Sequence, residues 1–465
     1  MVFSSLPFLF YFLPIAHIIY YISPRRLKNM TLLAVSLLFY AWGEPIYIFL
    51  LLFSAVADYI HGLFIEKYRI SAPKKAKIAL ASSIFVNLSV LFFFKYANFL
   101  VENMNHFTSF QIEALDLPLP IGISFYTFQT MSYSIDVYRG VVSAQKNPMT
   151  FALYVSLFPQ LIAGPIVRYE MIETELMHRK WNTKQFSDGV RIFTIGLGKK
   201  VLLANTLGAL WHDTQGLPAQ ELTVFAAWLG IIAFMFQIYF DFSGYSDMAI
   251  GLGKMFGFTF PINFRYPYIA KSATEFWRRW HITLSGWFRD YLYIPLGGNR
   301  NGKWKMYRNL FIVWGATGFW HGANWNFMLW GLYFGLVLAF EKAIGLTLLK
   351  KLPNLFQHLY LLVIVLIGWV LFVSEDMHFG IHYVKTMAGF APLWDTNFLY
   401  DLYTNAILLV VASIAATPLW RFVDKRITAS FARNSIEWLV IIGILFLSTA
   451  YLVDASFNPF LYFRF

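Results

Sequence analysis

Apolar residues along this chain come in long runs separated by short polar clusters, the pattern of a polypeptide that crosses a bilayer many times. A spanning helix needs roughly 20 apolar residues, fewer where it is broken or sheltered by neighbours. On that measure the runs 3–22, 30–42, 46–65, 78–97, 121–137, 187–208, 222–240, 307–320, 325–345, 355–374, 404–420 and 436–453 are candidate spans. They predict an all-α polytopic bundle of roughly 11–12 spans forming a single integral membrane domain. Two stretches depart from the pattern. Phe151 to Arg168 is apolar but interrupted by Pro159, Gly164 and Pro165, which predicts a re-entrant or broken helix lined by protein. The connection 242–308 is too polar to span and too aromatic for a free linker. No internal repeat suggests two halves of a transporter.

The polar clusters alternate in sign. Arg25 to Lys28, Lys67 to Lys77, Arg139 to Lys146, Arg168 to Lys184, Lys254 to Arg308, Lys350–Lys351 and Arg421 to Arg433 are basic. Between them fall Glu102, Glu113 and Asp116, then Asp213 and Glu221, then Glu375, Asp376, Asp395 and Asp401. The positive-inside rule then puts both termini outside and the 242–308 connection in the cytoplasm. No Lys or Arg precedes Phe3–Ile22 and no small-residue cleavage site follows it, so this run reads as a retained first helix.

Composition sharpens the setting. The chain is 58% hydrophobic and 13% charged, against about 25% charged in an average soluble domain. It lacks the polar residues to cover a soluble core. The net charge of +12 sits in loops rather than on a basic face, which argues against nucleic acid as a partner. There is no cysteine, which removes disulfides, thiolate nucleophiles and cysteine-held metal.

Candidate chemistry concentrates between Asp241 and Trp325. Read as one helix, 273–293 places Trp277, Trp280, His281, Leu284, Phe288 and Tyr291 on one face, a basic amphipathic element at the membrane interface. His281 on that face is either a core histidine held by one hydrogen bond or a site residue; the spacing alone leaves both open. His321, in Gly315-Ala-Thr-Gly-Phe-Trp-His-Gly-Ala-Asn-Trp325, stands near bilayer depth. Packing explains Gly315, Gly318 and Gly322; it does not explain a titratable ring beside them, which at that depth faces a cavity or a partner. Asn324, one turn on, is placed to orient the imidazole. Asp241 and Asp247 lack metal-ligand spacing, and ion-pairing with Arg278, Arg279 or Lys254 is their expected use. No metal site is expected, and no serine-hydrolase elbow or Walker loop is present.

Three long segments carry a resemblance. Tyr239-Phe-Asp-Phe-Ser-Gly-Tyr-Ser-Asp-Met-Ala-Ile-Gly251, Phe276-Trp-Arg-Arg-Trp-His-Ile-Thr-Leu-Ser-Gly-Trp-Phe-Arg-Asp-Tyr291 and Gly318-Phe-Trp-His-Gly-Ala-Asn-Trp325 resemble the membrane-bound O-acyltransferase family, in its bacterial alginate and peptidoglycan O-acetyltransferase branch. Pro120–Gln129, Phe158–Pro165 and the tail Asn458–Phe465 are similar as well, and the motif core spans about 120–345. The resemblance implies a bundle around a central tunnel, with His321 and His281 as the catalytic pair. It implies acetyl-CoA as a donor from the cytoplasm, no permanently bound cofactor, and a periplasmic or membrane-anchored SGNH-type acetyltransferase as acceptor. It places the chain in a bacterial inner membrane. Trp277, Arg278, Arg279 and Asn324 are the expected donor-binding residues, with Lys254 and Arg300 as further cations for the coenzyme's phosphates. A D-alanyl or longer acyl transferase, and a glycan- or lipid-precursor transporter, remain the alternatives.

Overall fold

The computed structural model of the chain describes residues 2–108, 111–115, 117–419, 430–454 and 461, without the side chains of 430–434. Asp116, Trp420, the basic side chains from Arg421 to Arg433 and the tail Asn458–Phe465, Leu461 excepted, lie outside the described residues. Every regular element among the described residues is helical. This follows from the solvent: in hydrocarbon each backbone amide must be satisfied within its own segment, and a helix does that. In order the helices are α1 (Leu13–Ile22), α2 (Lys28–Gly43), α3 (Ile48–Tyr68), α4 (Pro73–Phe107), α5 (Ile123–Arg139), α6 (Pro148–Ser156), α7 (Phe158–Leu161), α8 (Tyr169–His178), α9 (Thr183–Gly198) and α10 (Asn205–Gln215). They continue as α11 (Val224–Met255), α12 (Ala273–Trp277), α13 (Ile282–Phe288), α14 (Lys303–His321), α15 (Trp325–Phe340), α16 (Leu346–Leu349), α17 (Asn354–Val373), α18 (Met377–Met387), α19 (Thr396–Ala415) and α20 (Ser430–Asp454). Among the described residues, seven stretches are long and apolar enough to cross a membrane: 48–68, 73–107, 224–255, 325–349, 354–373, 396–415 and 435–454. The chain is a multi-pass membrane protein.

Contacts cluster in two units, 1–193 with 246–261, and 194–245 with 262–465. In the first, α3, α4 and α5 pack around a buried carboxylate. Asp58 accepts hydrogen bonds from Ser83 Oγ at 2.5 Å, Asn87 Nδ2 at 2.6 Å and Ser134 Oγ at 3.0 Å. An ionisable group at this depth is tolerated because neighbouring helices supply its donors. The segment expected to break does so: α6 ends at Ser156 and α7 restarts at Phe158, and both are buried.

Two expectations about the 242–308 connection need correction. The first concerns its start, because α11 continues as helix to Met255. Asp241, read as its polar end, is buried within the second unit and ion-paired with Lys200 at 2.7 Å. Lys200 also donates to Asn205 Oδ1 at 2.9 Å, and the second Asp241 oxygen accepts from the Leu461 amide at 2.9 Å. The cation lies in the preceding span rather than among Arg278, Arg279 and Lys254, as expected. Neutralised in this way, Asp241 no longer forces the helix to end. The second correction is that 273–293 is not one helix. It breaks into α12, α13 and a π-helical turn at Arg289–Tyr293.

The Lys200–Asp241 pair has a measurable signature. Removing one partner of a buried pair typically costs about 3–5 kcal/mol, whereas an apolar pair of similar volume is close to neutral. Lys200→Met is expected to lower the thermal midpoint in detergent by that equivalent, and adding Asp241→Leu to recover most of the loss.

Candidate active site

Both histidines reach one cavity through local backbone rules. α14 delivers His321 at its last turn, and that helix lies against α15 at backbone contact distance. A Cβ on Gly318 would come within 2.4 Å of the Phe327 carbonyl oxygen, and one on Gly331 within 2.5 Å of the Trp314 oxygen. Gly322 is equally constrained, a Cβ there meeting the Phe327 ring at 2.2 Å, whereas Gly315 faces open space. Close packing thus accounts for two of the three glycines in the motif. His321 is 6% exposed. Its ring stands edge-on to Trp330 at 5.0 Å and Phe372 at 5.3 Å.

His281 arrives differently. It has φ 44° and ψ 55°, the left-handed region that a non-glycine residue rarely occupies. The turn is held by Asn263. Its carbonyl accepts from Ile282 N at 2.9 Å, and its Oδ1 accepts from Thr283 N at 3.2 Å, Thr283 Oγ1 at 2.9 Å and His281 Nδ1 at 3.2 Å. Because a backbone amide only donates, the Asn263 atom facing it is the oxygen, so the His281 ring proton sits on Nδ1 and Nε2 carries the lone pair. Burial pushes the His281 ring well below the usual imidazole range and holds it neutral. Upstream, the Glu341 carboxylate anchors the start of α12, accepting from Ala273 N at 2.7 Å, Thr274 N at 2.8 Å and Thr274 Oγ1 at 2.6 Å.

The shared cavity is about 310 Å³, with His281, His321, Trp277 and Trp280 in its wall and Arg278, Arg289 and Lys342 among its cations. It follows α14 from Leu310 to His321, about 16 Å at the helical rise. A second cavity of about 280 Å³ lies past the end of α14, where His212, Gln215, Asn324, Asn326 and Glu375 line it. Among the described residues its wall holds no lysine or arginine. Between the two is a void of about 10 Å³. It shares His321 and Trp280 with the first cavity and Phe372 with the second. The site is therefore two polar-rimmed cavities meeting at an aromatic pinch beside His321.

Residues 139–374 match the profile of the membrane-bound O-acyltransferase family. Over the whole of both chains the sequence is 41% identical to a probable alginate O-acetylase AlgI of Pseudomonas putida. It is 34% identical to a peptidoglycan O-acetyltransferase of Helicobacter pylori, across 100% of this chain and 98% of that protein. A teichoic acid D-alanyltransferase of Streptococcus thermophilus is 28% identical across 48% of this chain and 57% of its own. The chain belongs to the membrane-bound O-acyltransferase family.

In this O-acyltransferase the structure brings His321, His281, Trp277 and Arg278 to one cavity. Arg279 is engaged elsewhere, with Glu275 at 2.7 Å and the Arg265 carbonyl at 3.2 Å. Asn324 caps α15 and lines the second cavity, where its Nδ2 donates to the Glu375 carbonyl. Lys254 and Arg300 are not in the wall of the first cavity; Arg289 and Lys342 are. Sequence reasoning passed over Asn263, Arg289, Glu341 and Lys342. Asn263 has no motif spacing to His281, and only the left-handed turn reveals its role. Asn263→Ala removes the oxygen that orients the ring. His281 Nδ1 and the Thr283 amide and hydroxyl all lose their acceptor, each bond worth about 1 kcal/mol, so acyl transfer is expected to fall roughly fivefold or further. The rate is read per folded protein, with the folded fraction taken from the thermal transition of the same preparation.

Proposed function

We propose that this O-acyltransferase moves an acetyl group from acetyl-CoA on its basic face to an acceptor on the opposite face, for acetylation of an extracytoplasmic polysaccharide. The observation that carries this is the small void at His321, which borders a cation-rimmed cavity through His321 and Trp280 and a cavity rimmed by amides and Glu375 through Phe372. Arg278, Arg289 and Lys342 suit the phosphates of a coenzyme by charge. In the reaction a hydroxyl oxygen of the acceptor attacks the thioester carbonyl while His321 takes its proton. The tetrahedral intermediate then expels the coenzyme thiolate, which His321 reprotonates. His281, its Nδ1 proton committed to Asn263, offers a lone pair beside that thioester. An oxyanion needs a donor instead. Trp277, whose Nε1–H has no acceptor among the described residues, lines the same cavity.

The relatives named for alginate and peptidoglycan support polysaccharide acetylation as the end result. The alternation of loop charge supports a bacterial inner membrane with the cation-rimmed cavity on the cytoplasmic side and both termini outside. The immediate acceptor we assign to a separate SGNH-type acetyltransferase, periplasmic or membrane-anchored, approaching the second cavity. Purified protein in liposomes, given radiolabelled acetyl-CoA on its basic face and the partner on the other, tests the reading. Wild type is expected to label the partner, and His321→Ala to lose about 10²–10⁴-fold in rate. Transfer by a folded His321→Ala at the wild-type rate would remove the assigned base. Solute flux with no thioester cleavage would make the protein a transporter.

A further inference from the structure

The void of about 10 Å³ beside His321 has a consequence for the acyl group itself. A volume of that kind accommodates about one water molecule, and a methyl group is of similar size. We infer that the aromatic collar of Trp280, Trp330, Trp369 and Phe372 restricts the transferred acyl unit to two carbons. The inference rests on the proposed acyl transfer and sets its substrate class.

Three observations carry it. First, the thioester carbonyl has to lie within reach of His321, and His321 belongs both to the cation-rimmed cavity and to the void. An acyl chain continuing beyond that carbonyl therefore enters the void. Second, the acceptor oxygen reaches the same carbonyl from the second cavity, which joins the void at Phe372. A chain longer than acetyl would occupy the ground the nucleophile needs. Third, the collar is braced against yielding. Trp330 is 1% exposed and packs edge-on to Trp277 at 5.5 Å and Phe334 at 5.4 Å. Phe372 is wedged between Phe327 at 5.1 Å and Trp369 at 5.7 Å. Large rings held on several sides do not swing aside as a methionine or leucine wall does. The wide cavity carries no such limit, since about 310 Å³ accommodates a coenzyme arm regardless of the acyl group it bears.

The test is a donor series of acetyl-, propionyl- and butyryl-CoA with the full-length protein and its acceptor, read as free coenzyme thiol. One methylene in a fitted pocket discriminates about 10–200-fold, so wild type is expected to prefer acetyl to propionyl by at least tenfold. Phe372→Ala, and independently Phe372→Leu, should raise the butyryl-to-acetyl ratio by tenfold or more. A ratio taken on one preparation does not depend on how much of it is folded. Wild-type rates within threefold across the series, or ratios unmoved in both variants, overturn the collar while leaving acyl transfer standing. No thiol release from any donor overturns the acyl-transfer reading itself, and the collar's role with it.

Discussion

The contact on which the site depends is the one between α14 and α15, where two backbones touch because Gly318 and Gly331 have no side chains. Helices that meet through small residues gain dispersion and backbone contact in a lipid solvent that offers no hydrophobic drive to associate. Here the approach has a second effect. It draws Trp314, Trp330 and Phe334 into one aromatic cluster with Trp277, whose ring meets each of the three edge-on. It also leaves the ring at the end of α14 directly against Trp330. A larger residue at either glycine would part the helices, and the pinch beside His321 would open with them.

His281 depends on a different kind of constraint. A left-handed non-glycine residue costs of order 1 kcal/mol or more and persists only where its surroundings over-determine it. Asn263 does so from one side by filling its Oδ1 with three donors. Glu341 separately fixes the start of α12 by holding its first amides. The strain is what lets two successive residues, Trp280 and His281, both be buried, at 4% and 1% exposure. In a straight helix they would point about 100° apart, and one of them would leave the cavity wall.

That detail also explains what the sequence conceals. The apolar periodicity of 273–293 survives the break, because the αL residue redirects the chain without changing which side chains are apolar. A continuous helix was therefore the natural expectation, and a structured turn is what exists. The spans were legible since hydropathy is a property of each run alone. His321 stood out because a titratable ring at bilayer depth has few bland explanations, and the structure sets it in a cavity wall. The partners of these groups were not legible. Lys200, Asn263, Glu341 and Lys342 sit 41, 18, 68 and 61 residues from Asp241, His281, Ala273 and His281 respectively, separations read from their positions. Nothing in local spacing links such pairs; the folded backbone does. Lys200 is instructive: 187–208 reads as a span straight through it, and the carboxylate that makes this tolerable is visible only in the fold.

The proposed transfer of an acyl group through the bilayer requires that water be kept from the thioester and ions from the path. The distribution of charge meets both demands. Among the described residues, Arg278, Arg289 and Lys342 line the wide cavity, Glu375 lines the second, and the void between them has no charged residue in its wall. A narrow aromatic passage carries a high desolvation barrier for any ion, because nothing in it replaces the ion's hydration. Among the described residues lining the void, His321 is the one that can take up a proton, and it is the group the proposed chemistry uses there. In the proposed reaction, a base in either wide cavity would leave bulk water competing with the acceptor hydroxyl for the same carbonyl. With His321 as that base, its place at the narrowest point would tie access to it to passage through the collar, so that selection of the acyl group and exclusion of water would follow from the same rings.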